Sequence, residues 1–125
     1  MTKSILIVDD DVRNIFALSA VLRSEGFTCV SAMDGLQVMR VLSDNSTIGL
    51  ILMDIMMPVM DGYETIAALK KHTMYGRIPV IAVTAKAMKG DKEKCLEAGA
   101  IAYLSKPVDT NELFKLIKEY TVQWK

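Results

Sequence analysis

The segment LILMD, residues 50–54, joins four large apolar side chains directly to a single carboxylate. An unbroken apolar run of this kind is typical of a strand buried on both faces, whereas a half-exposed strand alternates apolar and polar residues. Strands buried in this way belong mostly to parallel sheets that carry helices on both sides. The segment therefore predicts a central strand of a parallel sheet, with Asp54 at its carboxyl end.

Three more apolar runs, at residues 5–8, 80–83 and 101–104, are each followed by polar residues. In open α/β sheets, ligands bind beyond the carboxyl ends of the strands. If the four runs are neighbouring parallel strands, the residues after them meet Asp54 at one edge of the sheet. They supply carboxylates, a hydroxyl and an ammonium, groups that phosphoryl transfer uses. In chain order they are Asp9 and Asp10, Thr84, and Lys106.

Strand and helix signals alternate along the whole chain, which is the pattern of an α/β fold. The predicted strands cover residues 4–8, 28–31, 50–53, 79–83 and 101–104, and the predicted helices cover residues 12–24, 36–43, 63–71, 91–97 and 110–120. Right-handed crossovers that cover both faces force the strand order to reverse once. We therefore predict one (βα)5 domain over residues 1–125, a doubly wound parallel sheet. The most economical order is 2-1-3-4-5, which is the order already known for flavodoxin-like folds.

Length and composition exclude several classes of protein. With 125 residues, 51% of them apolar, the chain is long enough for one globular core. Its 15 basic and 15 acidic residues balance, so no net charge attracts nucleic acid or an anionic membrane surface. No apolar stretch approaches the roughly 20 residues of a membrane-spanning helix, and the N-terminus lacks a signal-peptide layout. We expect a cytoplasmic protein with Cys29 and Cys95 as free thiols.

Three carboxylates at one sheet edge repel one another, and either a raised pKa or a bound cation relieves that repulsion. Mg²⁺ prefers oxygen ligands in an octahedral arrangement and usually retains several water molecules. We expect Asp10 and Asp54 to supply one oxygen each, and the backbone carbonyl of Met56 a third. Asp9 is expected to act mainly through a coordinated water. The predicted cofactor is therefore Mg²⁺, with Mn²⁺ as an alternative.

Asp54 is the candidate nucleophile, because a carboxylate can form a covalent acyl phosphate. It stands alone at its strand end, whereas Asp9 and Asp10 are adjacent and compete for the metal. The ammonium of Lys106 is expected to pair with Asp54 and later with a phosphoryl oxygen, and the hydroxyl of Thr84 to donate to another. A single strand-end threonine is more often a cap, so the hypothesis depends on the joint occurrence of these residues.

Five short motifs carry a family resemblance: IVDD at 7–10, LMDIMMP at 52–58, MDG at 60–62, VTA at 83–85 and YLSKP at 103–107. Through them the chain resembles the receiver domain of bacterial two-component response regulators over essentially its whole length. The resemblance implies that Asp54 takes a phosphoryl group from a phosphohistidine on a sensor histidine kinase or a histidine phosphotransfer protein. It also implies that Asp9 and Asp10 belong to the metal pocket and that the Lys106–Pro107 bond is cis.

The same resemblance implies a conformational switch. Thr84 and Lys106 would contact the phosphoryl group, and the inward movement of Thr84 would leave space behind its strand. Tyr103 would then swing inward from a partly exposed position, although a plain core or edge aromatic is the simpler interpretation. Met56 and Lys86 lie where the family tunes the lifetime of the phosphoryl group by controlling the access of water.

The first predicted helix suggests a docking surface for the phosphodonor. On a helical wheel, the stripe that faces the core consists of Ala17, Leu18, Val21 and Leu22. Ile15 then lies on the flank of this stripe and Phe16 nearly opposite it, both close to the acidic edge. We hypothesise that these two residues bind a helix of the partner, although isolated apolar residues are also normal on protein surfaces.

Several alternatives remain open at this point. The domain can stand alone or form part of a hybrid sensor histidine kinase, and we predict the latter because residues 9–18 and 84–91 are more similar to hybrid-kinase receivers. A phosphohydrolase of the haloacid dehalogenase type needs a second acid two residues after the nucleophile, where this chain has Met56. A module that only binds partners would lack one of the site residues. A nucleotide site would need a glycine-rich turn after the first strand, and residues 9–12 contain no glycine.

Overall fold

Five strands and five helices alternate in the computed structural model of the protein, which describes residues 3–45, 47–57, 61–84, 90–122 and 124. Their ends differ from the predicted ones by at most two residues. The strands are β1 (Ser4–Val8), β2 (Thr28–Ala32), β3 (Ile48–Asp54), β4 (Val80–Thr84) and β5 (Ala102–Ser105). The helices are α1 (Val12–Ser24), α2 (Gly35–Asp44), α3 (Gly62–Lys71), α4 (Asp91–Ala98) and α5 (Thr110–Thr121).

The five strands form one parallel sheet in the order β2-β1-β3-β4-β5. This order and the α/β class confirm the fold that the sequence predicts. The register brings the carboxyl ends of β1, β3, β4 and β5 level with one another, so the residues that follow them meet at one edge. The aligned pairs at this edge are Val8 with Met53, Asp54 with Val83, and Thr84 with Ser105.

Two apolar cores cover the two faces of the sheet, and β3 contributes to both. Ile51 and Met53 point into the core beneath α2, α3 and α4, whereas Leu50 and Leu52 point into the core beneath α1 and α5. All four side chains are at most 1% exposed. Burying a side chain of this size contributes about 1.5–3 kcal/mol, so the apolar run specifies both layers and fixes the position of Asp54.

Helix α1 packs differently from the helical-wheel prediction. Ile15 is buried in the core beneath α1 and α5, whereas Ala17, which the wheel places in the buried stripe, is exposed. The observed stripe runs through Ile15, Leu18 and Leu22, with the i, i+3, i+7 spacing of one helix face. This orientation buries the larger side chains and leaves the small one in solvent, which removes more apolar area from water. Phe16 remains at the surface, 78% exposed.

Aspartates begin four of the five helices. Asp11, Asp34, Asp61 and Asp109 each accept a hydrogen bond from a backbone N–H in the first turn of the helix that follows. Such a cap satisfies one of the unpaired amides of a helix start, and replacing it with alanine typically costs about 1 kcal/mol. These four acids therefore have a structural role. Asp9, Asp10 and Asp54, at the ends of β1 and β3, cap no helix and remain available for chemistry.

Two further observations concern the cysteines and the lengths of the helices. Cys29 and Cys95 are both free and buried. Burial raises the pKa of the Cys29 thiol, which lowers its reactivity because the thiolate is the reactive form. Within the part of the chain that the structure describes, no helix combines the length and the apolarity needed to cross a membrane.

Gly62 provides a test of how closely α3 packs against the end of β3. A Cβ atom at this position would lie 2.5 Å from the carbonyl oxygen of Asp54 and 2.6 Å from the Cα of Ile55. Because these are backbone atoms, Gly62→Ala should lower the free energy of unfolding by about 1–3 kcal/mol in urea denaturation, as overpacking does elsewhere.

The matched control is Gly26→Ala. Gly26 has a φ of 92°, but apart from Gly26 and its two chain neighbours no described residue has an atom within 4 Å of the point where a Cβ would stand. This variant therefore carries a conformational cost without a clash. A smaller loss of stability for Gly62→Ala than for Gly26→Ala would contradict the proposed close packing of α3.

Candidate functional site

Three carboxylates lie together at the carboxyl ends of β1 and β3. Asp9 and Asp10 follow β1, and Asp54 is the last residue of the adjacent β3. One carboxylate oxygen from each lies within 4.8 Å of the others. Asp9 and Asp54 are each 3% exposed, whereas Asp10 is exposed. The sequence therefore predicted this cluster correctly, and the parallel pairing of β1 with β3 is what assembles it.

Lys106 follows β5, on the other side of β4 from Asp54, and its side chain reaches the same cluster. Its Nζ lies 3.1 Å from Asp9 Oδ2 and 3.4 Å from Asp54 Oδ1. The backbone also holds the residue in place, because its N–H donates to the carbonyl oxygen of Thr84 at 2.7 Å. The Lys106–Pro107 bond is cis, as the family resemblance implies. The sequence predicted the pair with Asp54, but the shorter contact is with Asp9.

The position of Lys106 affects its protonation. Burial lowers the pKa of the ammonium, but the hydrogen bond to Asp9 and the charges of Asp54 and Asp9 outweigh burial, and the net pKa is raised. Lys106 is therefore a permanent positive charge at neutral pH. Three carboxylates around one ammonium still leave an excess of negative charge at this edge of the sheet.

Asp9 is held by donors on two sides. Its Oδ1 accepts the backbone N–H of Asp11 at 2.8 Å. Its Oδ2 accepts the side-chain amide of Asn14 at 3.3 Å and the ammonium of Lys106 at 3.1 Å. Asn14 belongs to none of the motifs that predict the site. Its position within the first turn of the helix after the acidic pair is the signal that could have indicated it.

Asp54 has an unusual electrostatic environment. Burial raises the pKa of its carboxyl group, the negative charge of Asp9 raises it further, and the result is about 6. The charge of Lys106 and a hydrogen bond from the N–H of Met56, at 3.3 Å, act in the opposite direction. A nearby cation would favour the ionised form, which is the nucleophilic one.

Thr84 lies on β4, beside the strand that carries Asp54, and Tyr103 lies on β5, one strand further from it. Thr84 ends β4 and is 2% exposed. Tyr103 lies on β5 next to Ala82 and is partly buried against the core beneath α2, α3 and α4, which matches the partly exposed starting position expected for it. Lys86, which the family resemblance links to the lifetime of the phosphoryl group, lies outside the described residues.

Met56 lies two residues beyond Asp54, and its side chain is 66% exposed. It belongs to a set of exposed apolar side chains near the acidic edge, on α1, at the start of α2 and on the loop after β3. Their exposed fractions are 61% for Val12, 78% for Phe16, 63% for Leu36 and 66% for Met56. Val12 and Phe16 also line a groove of about 430 Å³ along α1. Of the two predicted docking residues, Ile15 also lines this groove but is only 9% exposed, whereas Phe16 is accessible, and the docking role itself stays a prediction.

The donor set of the cluster suits a hard divalent cation. Its side-chain ligand atoms are carboxylate oxygens, which Mg²⁺ and Mn²⁺ prefer over the thiolates and imidazoles chosen by softer metals. Burial and the negative charge of Asp9 raise the pKa of Asp54, and a bound cation would offset both effects. Asp9, Asp10 and Asp54 therefore fit a metal ion, and an exposed Asp10 leaves the site open to water and to a phosphoryl group.

Comparison with known proteins identifies the class to which this fold and site belong. A model of the response regulator receiver domain matches residues 5–118. The chain therefore belongs to the receiver domain family of two-component and phosphorelay signal transduction.

Two curated relatives illustrate the range of this family. The polar-differentiation response regulator DivK of Brucella ovis is 38% identical over 120 residues, which cover 96% of this chain and 97% of DivK. The probable transcriptional regulator ycf29 of Pyropia yezoensis is 39% identical over 117 residues, which cover 94% of this chain. The match spans about half, 52%, of the length of ycf29.

Two solved structures have a similar fold. The receiver domain of a sensor histidine kinase from Pseudomonas aeruginosa, with a magnesium ion in its active-site cleft, has a TM-score of 0.85, 36% identity and coverage of 96% of this chain and 98% of its own. The co-crystal structure of the Saccharomyces cerevisiae phosphotransfer protein Ypd1 with the receiver domain of Ssk1 matches with a TM-score of 0.86 and 28% identity, covering 98% and 90%.

The raised pKa of Asp54 predicts a characteristic dependence of stability on pH. In a buffer with a chelator, the carboxyl group has a pKa of about 6 when folded and an ordinary value of 3.8 when unfolded. A raised pKa stabilises the fold at low pH, and this contribution is lost as the pH rises from about 4 through 6. Asp54→Asn resembles the protonated acid, so it should be more stable than the wild type at pH 7.5 by about 1–3 kcal/mol.

Thermal or urea unfolding at pH 4.5 and pH 7.5 measures this effect. The advantage of Asp54→Asn should be large at pH 7.5 and small at pH 4.5, whereas Asp44→Asn, at an exposed position on α2, should show no such trend. An advantage that is equal at both pH values would show that Asp54 is ionised throughout.

Proposed function

We propose that this domain accepts a phosphoryl group on Asp54 from a phosphohistidine, with Mg²⁺ as cofactor. The observation that carries the proposal is the buried carboxylate of Asp54 at the end of the central strand, next to two further carboxylates and 3.4 Å from the Lys106 ammonium. A carboxylate oxygen of Asp54 attacks phosphorus, the phosphorus–nitrogen bond breaks, and its electron pair remains on the imidazole of the donor. The product is an aspartyl phosphate.

Each residue around Asp54 has a distinct task in this step. Lys106 places a fixed positive charge beside the oxygen atoms where negative charge accumulates, which lowers the barrier most when water is excluded. Asp10 and Asp54, with the backbone carbonyl of Met56, are the proposed ligands of Mg²⁺, and Asp9 is proposed to act through a coordinated water. When bound, the cation neutralises charge on the phosphoryl oxygens.

The aspartyl phosphate is proposed to act as a switch through Thr84 and Tyr103. A phosphoryl group adds negative charge and three acceptor oxygens, which attract the hydroxyl of Thr84 and the ammonium of Lys106. Movement of Thr84 at the end of β4 would change the space available to Tyr103 on the neighbouring strand. Such a switch changes the populations of two pre-existing states, and a shift from 1:99 to 99:1 requires about 5.5 kcal/mol.

Met56 supports an acceptor over the alternative phosphohydrolase. A phosphohydrolase of the haloacid dehalogenase type needs a second acid two residues after its aspartate nucleophile, to act as general acid and base. The residue two positions after Asp54 is a methionine, and its side chain is 66% exposed. A thioether cannot take a proton from water, so the phosphoryl group is proposed to persist long enough for a partner to bind the switched state.

The proposed partners are a sensor histidine kinase or a histidine phosphotransfer protein. Similarity to a kinase receiver from Pseudomonas aeruginosa supports a hybrid-kinase setting for the domain, which we propose to span residues 1–125. Similarity to DivK over 97% of the length of DivK supports a stand-alone receiver as the second candidate. Both settings are consistent with a cytoplasmic domain, which is our proposal for its location.

Phosphorylation of Asp54 is testable with a small-molecule donor. Incubation with acetyl phosphate and Mg²⁺ should add the mass of one phosphoryl group, and intact-mass spectrometry detects it. Asp54→Asn should abolish the gain, because an amide is not a nucleophile for this reaction, and a chelator should reduce it strongly. Asp44→Asn, on the exposed end of α2, is the matched control and should be labelled normally.

An unchanged mass in the wild type, both with acetyl phosphate and with a cognate phosphohistidine donor, would overturn the proposed function. A mass gain that survives in Asp54→Asn would move the acceptor to another residue.

Phe16 is proposed to contact the phosphodonor. Its ring is 78% exposed on α1, near the acidic edge, and aromatic side chains commonly dominate the free energy of an interface. Phe16→Ser should slow transfer from a cognate phosphohistidine donor by at least about tenfold, equivalent to about 1.4 kcal/mol. Labelling by acetyl phosphate should be unchanged, because that donor needs no docking surface.

Leu96→Ser is the control, since Leu96 is also an exposed apolar residue, at 42%, but lies on α4. It should transfer at the wild-type rate. Equal losses with both donors for Phe16→Ser would show damage to the site itself and would contradict a docking role.

A further inference from the structure

Asn14 contacts the acidic cluster from helix α1, and nothing in the sequence motifs assigns it a role. Its side-chain Nδ2 donates to Asp9 Oδ2 at 3.3 Å. Asn14 also lines a cleft of about 230 Å³ between α1 and the start of α5, together with Asp9 and Lys106. The amide is therefore directed toward a carboxylate that is 3% exposed and not toward bulk solvent.

The contact determines how Asp9 is oriented. Asp11 N–H holds Oδ1 at 2.8 Å, and Lys106 and Asn14 hold Oδ2 at 3.1 Å and 3.3 Å. The backbone donor and the lysine restrain the two oxygens from different sides. The Asn14 amide adds a second donor on Oδ2, so rotation of the carboxylate plane breaks at least one hydrogen bond.

Helix capping does not account for Asn14. The side chain of Asp11 already caps α1 through the N–H of Arg13, and the backbone N–H of Asn14 is satisfied by the carbonyl oxygen of Asp11 at 3.0 Å. Asparagine is also a weaker helix former than alanine or leucine. The side chain therefore has no local task in the helix, and its contact in the structure is with the acidic cluster.

We propose that Asn14 is a positioning residue that holds the Asp9 carboxylate in the orientation needed for Mg²⁺ binding beside Asp54. The inference rests on the proposed function, since it concerns the metal site of that reaction. Mg²⁺ demands near-ideal octahedral geometry and keeps much of its water shell. A carboxylate that binds this shell must be oriented accurately, and groups that orient ligands typically affect metal affinity by about 10- to 100-fold.

The test measures Mg²⁺ affinity directly. Titration of the full chain with MgCl2, followed by isothermal calorimetry or by amide NMR shifts of Asp10 and Met56, should give a dissociation constant about tenfold higher for Asn14→Ala than for the wild type. Asn111→Ala is the matched control, because Asn111 also lies in the first turn of a helix, α5, and is exposed. Its affinity should equal that of the wild type.

A second readout separates positioning from general damage. In acetyl phosphate labelling, Asn14→Ala should need about tenfold more Mg²⁺ to reach half of its maximal rate, while the maximal rate at saturating Mg²⁺ stays within about twofold of wild type. Asn14→Leu keeps the side-chain volume, favours a helix and has no donor, so it should behave in the same way and guards against misfolding of the alanine variant.

Three outcomes would overturn the proposal, and they differ from one another. A dissociation constant within twofold of wild type for both Asn14 variants would show that the amide does not position Asp9. A lower maximal rate with unchanged affinity would assign Asn14 to another step. Absence of Mg²⁺ binding in the wild type would overturn the metal part of the proposed function as well, which distinguishes that failure from a failure of the positioning role alone.

Discussion

Two buried carboxylates at the ends of adjacent strands, held against one ammonium, are the constraint on which the rest of this structure depends. Asp9 and Asp54 are each 3% exposed, and their mutual repulsion contributes to the raised pKa of Asp54. Burying like charges together is unfavourable unless other groups compensate. The compensation comes from Lys106, from backbone amides and from Asn14, so the sheet, the loop after β5 and helix α1 are all needed at one point.

The sheet makes this arrangement possible because it is rigid and apolar. The strands β1, β3 and β4 are almost completely buried between two helical layers, and their stability holds the charged ends in place. Proteins commonly retain such unfavourable clusters at functional sites and compensate for them with the stability of the core. The electrostatic repulsion between these carboxylates also makes the site suited to a cation, which would relieve it.

Much of the fold and part of the site follow from local patterns in the sequence. Four apolar runs predicted the strands correctly, since a buried parallel strand has no polar face to confuse the pattern. The same runs indicated Asp9, Asp54, Thr84 and Lys106, because parallel strands bring their carboxyl ends together. The predicted orientation of α1 was wrong, because Ile15 is buried and Ala17 is exposed. A helical wheel with apolar residues on both flanks has no unique rotation. That rotation depends on which side chains fill the core.

The sequence by itself therefore determined the strands, the doubly wound sheet and the identity of the groups at its edge, because periodicity and strand ends are local properties. Tertiary structure decided how closely those groups approach one another and which further groups contact them. Lys106 approaches Asp9 more closely than Asp54, and Asn14 turns its amide toward Asp9. The Lys106 contact joins residues 97 positions apart in the chain, and the direction of the Asn14 amide depends on how α1 is rotated against the sheet. Both distances depend on how helices and loops pack, which apolar periodicity does not specify.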